Sequence, residues 1–176
     1  QTPKANAYMV WHNESLPYTL EKSIQMDMAA QVLSMLYLKE IREEASAAYS
    51  CGAYGGSSLA DDGYKSYQLI GVFPMKPEKK DIALKIMTEE ADKLANACDA
   101  EMLGKVKAVM LKQIDDKAKT NGFWNSTIYE YDKLGIDTYT DYKKLVEAQT
   151  PQGISAFVKA FLATGSKITV VMLPQE

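Results

Sequence analysis

Ile41-Arg42-Glu43-Glu44-Ala45-Ser46-Ala47-Ala48-Tyr49-Ser50-Cys51-Gly52-Ala53-Tyr54 is the stretch on which the fold turns. A long helical pattern ends in it and a strand pattern begins. It also holds the only arginine of the chain, since the other nineteen of the twenty basic residues are lysine. Arginine presents a planar fork of donors that lysine does not reproduce. Here that fork stands seven residues before Tyr49, at a helix-to-strand junction.

Upstream of the junction, Leu20, Ile24, Met28, Val32, Leu36 and Ile41 recur at helical spacing, and Met26, Leu33 and Tyr37 widen the stripe. Thr19 is placed to cap this helix of about twenty residues, with Glu21 suited to the positive end of its dipole. The methionines read as packing residues. Before the helix, residues 6–12 read as a strand, and Pro17 ends the connection.

Downstream, residues 49–56 and 67–73 predict an antiparallel hairpin, with a polar turn at 57–63 ending in Asp61-Asp62-Gly63. Gly52, Gly55, Gly56 and Gly71 weaken such strands unless something packs closely there. Pro74 is expected to end the second strand. A helix follows over 78–96, with Ile82, Ile86, Met87, Ala91 and Leu94 inward. Asp99 caps another, running to about residue 119, with Leu103, Val106, Met110 and Ile114 inward. Asn121 is expected to cap a shorter helix that holds Phe123, Trp124, Ile128, Tyr131 and Leu134 and stops at Gly135. A helix near 139–147, one from Thr150-Pro151 to about 162, and a strand over 167–173 ending at Pro174 complete the chain.

The order predicts one α+β domain over residues 1–176: a mainly antiparallel sheet of at least four strands, with helices mostly on one face. Composition narrows the function classes. A net charge of −3, with lysines scattered among acidic residues, disfavours nucleic acid. No apolar run approaches the roughly 20 residues that span a bilayer. Residues 1–20 lack the charged start and apolar core of a signal peptide, so a signal for export would lie outside this chain. The compartment stays open between bacterial periplasm and cytoplasm. Cys51 and Cys98 imply no disulfide framework. His12 is the only imidazole, and with one histidine no His-rich metal centre forms. No G-x-S-x-G, phosphate loop or H-x-x-E-H is present.

The helix running into Ile41-Arg42-Glu43-Glu44, with Tyr49-Ser50 opening a hairpin strand, resembles the R-E-x-x-G-x-x-Y-S segment of the pitrilysin/insulinase family of zinc metallopeptidases. The resemblance covers nearly the whole chain, from the opening strand and helix to Asn121-Gly122-Phe123-Trp124, Thr150-Pro151 and the closing strand with Pro174. It implies a C-terminal-half domain lacking the zinc motif, with the zinc carried by an H-x-x-E-H helix in a catalytic N-terminal half or partner subunit. It also implies that Arg42 and Tyr49 hold the backbone of a peptide substrate near the scissile bond, and that no zinc is bound by this chain. The family's glycine is Ser46 here; if that position takes a positive φ, serine bears it less easily. Two bland readings stand beside these: Arg42 as a charge facing the helix dipole, and Tyr49 as a half-buried strand aromatic. Two other functions stand beside the peptidase: a non-catalytic scaffold or partner subunit of the same family, and a peptide-binding module that uses an exposed sheet edge.

Overall fold

A computed structural model describes residues 4–48 and 50–174. Four strands form one sheet in the order β2-β3-β1-β4: β1 Ala5–Asn13, β2 Gly52–Leu59, β3 Lys65–Met75 and β4 Ser166–Met172. All three pairings are antiparallel. The helices are α1 Leu20–Tyr37, α2 Lys80–Asn96, α3 Ala100–Lys117, α4 Asn121–Leu134, α5 Tyr142–Ala148 and α6 Pro151–Thr164. This is the α+β class that the sequence predicts.

The strand period sorts the two faces of the sheet. Ala5, Ala7, Met9 and Trp11 of β1 and Leu69 and Phe73 of β3 are buried on one face, against α1, α2 and α6, and α3 packs on α1. On the other face Tyr54, Tyr8, Ile168, Val170 and Met172 remain exposed. The helices therefore cover one face and leave the other open.

The caps explain where the helices begin. Thr19 accepts the Lys22 N–H at 3.1 Å, Asp99 that of Met102 at 2.8 Å and Thr150 that of Gly153 at 3.1 Å. Gly135 ends α4 in the left-handed region at φ 66°. At α4 the cap is Thr120, whose Oγ1 accepts the Phe123 N–H, and Asn121 is the first helical residue. The expected cap is thus displaced by one position.

The hairpin differs more from the prediction. β2 begins at Gly52 and continues through Ser57 and Ser58 to Leu59, which the composition marks as a turn. The glycine-rich stretch is strand because α1 lies on it. A Cβ at Gly55 would sit 2.7 Å from the Met26 carbonyl oxygen, and one at Gly71 would meet Met87 Cε at 2.6 Å. Pro74 does not end β3, which pairs Pro74 with Asn6 and runs to Met75. β2 starts opposite Val72, so at Pro74 the ladder has a strand on one side only and the missing N–H is tolerated. In α2, Met87, Ala91 and Leu94 are buried as expected, while Ala83 takes the inward place expected for Ile82, which is exposed, and Ile86 is half-buried.

Candidate functional site

The junction after α1 is not a simple helix end. Leu38–Glu44 form a π-helix continuous with α1, and the Ala45 N–H donates to the carbonyl of Glu40, five residues back, at 3.0 Å. Widened turns of this kind are found frequently at functional sites. Ile41 inside it and Ala47 after it are fully buried. The Ala47 N–H reaches the Ile41 carbonyl at 2.8 Å, and the Ala47 carbonyl accepts from Lys76 N–H at 3.1 Å. Ala48 bridges to Met75 at the end of β3. The turn is thus pinned at both ends, and Arg42, Glu43, Glu44 and Ser46 face outward between the pins.

Arg42 lies in the last turn of the π-helix. Its surroundings register on Cys51, the residue before β2. Burial pushes the Cys51 thiol up, and the Arg42 charge and backbone oppose that shift. Arg42 therefore lies close to Cys51, the residue before β2. Ser46 has φ 49°, the one positive φ at a non-glycine among the described residues. The left-handed conformation suspected at this position is present, and serine carries its strain. Tyr49, the second predicted site residue, lies outside the described residues.

The residue types that ligate metals are scattered. His12 Nε2 is 2.9 Å from Glu14 Oε1, to which the Tyr64 hydroxyl also donates at 3.1 Å. Those two hydrogen bonds hold the Glu14 carboxyl below its ordinary range. Both cysteines are free. Among the described residues no three His, Cys, Asp or Glu side chains group so as to hold a metal ion. These scattered residues do not fit a zinc ion. No helix among them is long and apolar enough to cross a membrane.

A second feature escapes the sequence reading. A cleft of about 530 Å³ opens between the end of β2 and α4, lined by Tyr18, Ser57, Leu59, Asn125, Tyr129 and Glu130 among others. α4 has no buried side chain at all. The signal available in the sequence was its spread of aromatic residues, Phe123, Trp124, Tyr129 and Tyr131, which no single buried stripe accommodates.

Sheet order, the one-sided helical layer and the pinned corner define an α+β domain of four antiparallel strands under a single helical layer. A family model described as Peptidase M16 inactive domain matches residues 1–120, and the chain belongs to that family. Solved structures share the fold. The periplasmic protease PqqL from Escherichia coli aligns with a TM-score of 0.79 and 20% identity over 99% of this chain and 19% of that one. A protease from Helicobacter pylori gives 0.75 and 10% over 99% and 42%. The peptidase M16 inactive domain from Pseudomonas fluorescens gives 0.66 and 13% over 95% and 40%. The chain thus spans about a fifth of PqqL and about two-fifths of the other two. No curated protein sequence matches it.

Proposed function

We propose that residues 1–176 are a single domain from the C-terminal half of a zinc-dependent metalloendopeptidase, and that this domain holds the peptide substrate through Arg42 and Tyr49 without binding zinc. The observation that carries this reading is the pinned π-helical corner, which leaves Arg42, the chain's sole arginine, exposed on the segment that leads into β2. A guanidinium carries donors for two hydrogen bonds to a peptide carbonyl, and a phenol donates one to a developing oxyanion. The zinc and its H-x-x-E-H helix belong, in this reading, to a catalytic N-terminal half or to a partner subunit. The partners are accordingly that half and a peptide substrate.

The test uses the full-length protein. Arg42→Lys keeps the charge and removes the fork, and Tyr49→Phe removes one donor. Each lowers peptide turnover by roughly 10²-fold, the usual cost of a lost transition-state donor, with zinc content unchanged. Ser46 favours the second reading, a non-catalytic scaffold or partner subunit, because a strained serine stands where the active family pattern has glycine. In that case both variants turn over peptide as the parent does, or neither form turns over peptide at all.

A further inference from the structure

β2 is an edge strand: the sheet order leaves it paired with β3 on one side. Its outer side is closed at one point. Ser34 Oγ of α1 accepts the Ala53 N–H at 2.7 Å and donates to the Ala53 carbonyl at 2.8 Å, doing for Ala53 what a neighbouring strand would do. Peptide groups alternate sides along a strand paired in this way. Residues of Ala53's parity, namely Gly55, Ser57 and Leu59, therefore turn their N–H and C=O away from β3. The opposite parity agrees, since the Ala60 N–H donates inward to the Tyr64 carbonyl at 2.8 Å.

The Ser57 and Leu59 end of this edge opens into the cleft described above. Its far wall is α4, with Asn125, Tyr129 and Glu130, and Tyr18 also lines it. A volume near 530 Å³ lies inside the range of roughly 300–1,000 Å³ of ligand-binding clefts. We propose that this cleft binds an extended peptide segment, which adds as a strand to the outer edge of β2 at Ser57 and Leu59 and places a lysine or arginine side chain against Glu130. An extended backbone matches what the cleft offers: outward N–H and C=O groups along one wall, with aromatic rings and a carboxylate for alternate side chains. Tyr18 and Tyr129 supply packing for those side chains, and their rings accept a cation's approach.

That the peptide is a substrate rests on the clamp reading above; the cleft itself does not. The Ser34 plug at Ala53 interrupts any continuous pairing between the two places. From Ala53 to Leu59 the edge runs roughly 20 Å at about 3.3 Å per residue. The cleft would thus hold a segment about six residues along the edge from the Ser34 plug.

The test titrates the isotope-labelled 176-residue chain with a blocked hexapeptide of alternating valine and lysine, and follows backbone amides by NMR. The expected result is saturable shifts at Ser57, Leu59 and Tyr129. Methylating alternate peptide nitrogens should abolish them, Leu59→Pro should weaken binding, and Glu130→Gln should weaken it about fivefold, the equivalent of roughly 1 kcal/mol. A hexapeptide of alternating valine and serine should not sense Glu130→Gln. Equal binding of the methylated peptide, or unmoved Ser57 and Leu59 amides at millimolar peptide, overturns the cleft. Loss of turnover in full-length Arg42→Lys alongside such a failure leaves the clamp standing. Normal turnover alongside hexapeptide binding sinks the clamp and leaves the cleft.

Discussion

α1 and α4 are both regular, capped helices, and they are held by different forces. α1 buries eight of its residues, from Ile24 to Tyr37, under the sheet. α4 buries none. It is tied by local devices: the Thr120 cap, the Trp124 Nε1 hydrogen bond to the Ala118 carbonyl at 2.8 Å, and the edge-to-face cluster of Phe123, Trp124 and Tyr139. Ile128 and Tyr131 stay 63% and 64% exposed. The contrast separates stability from recognition. The side of the molecule around α1 supplies the folding free energy and a rigid frame, and the π-helical corner at its end inherits that rigidity. The α4 side leaves large side chains such as Ile128, Tyr129 and Tyr131 exposed to solvent.

The largest expected effect tests the first half of that contrast. Phe73→Ala, at a residue 1% exposed and edge-to-face with Tyr37, should cost about 3–5 kcal/mol in denaturant unfolding. Tyr131→Ala should change stability by less than about 0.5 kcal/mol. A comparable loss at Tyr131 would break the comparison.

Gly55→Ala comes next. The new Cβ meets the Met26 carbonyl of α1 at 2.7 Å, and backbone does not yield as a side chain does. The expected cost is about 3 kcal/mol, the upper end for overpacking. The same change at Gly122 in α4, where a Cβ meets nothing, should be neutral or slightly stabilising, since alanine is favoured in helices. Thermal unfolding of both variants checks this.

Asp27 of α1 gives a pH-dependent version. Burial pushes its carboxyl up to about 6, against the pull of Lys117. A raised folded value means the native state holds the proton more tightly than the unfolded chain. The penalty for ionising it is therefore absent below about pH 4, grows between about pH 4 and 6, and is complete above. Asp27→Asn should stabilise the domain at pH 8 by on the order of 2 kcal/mol and by almost nothing at pH 4. A pH-independent difference between variant and parent would contradict the assignment.

The smallest effect is at the corner itself. Ser46→Gly relieves a left-handed serine, and the gain should be about 1 kcal/mol, reduced by the glycine's extra unfolded freedom. Destabilisation by this change would mean that the Ser46 side chain contributes more than its backbone strain costs.

How much of this was legible follows from where each signal resides. α1, α3 and α6 were readable because burial writes a 3.6-residue period and caps write a serine-like or acidic residue ahead of it, as at Thr19, Asp99 and Thr150. The strained turn was anticipated at Ser46 through the family's glycine. The π-helix was not readable, because a shift from the fourth to the fifth carbonyl is a backbone event with no side-chain signature. The sequence ends the strand at Gly56 because Ser57 and Ser58 look like turn, whereas β2 runs on to Leu59. Pro74 looked like a stop because the sequence does not show that β2 begins opposite Val72. The cleft was hidden for a related reason: it needs the edge of β2 and one wall of α4, elements more than sixty residues apart.

The account stands most directly on one measurement, the peptide turnover of the full-length protein carrying Arg42→Lys, with its zinc content and its unfolding midpoint determined alongside. The account predicts a loss of roughly 10²-fold at unchanged zinc and unchanged stability. Turnover equal to the parent's would show that the lone guanidinium holds no substrate, and would leave the domain a scaffold.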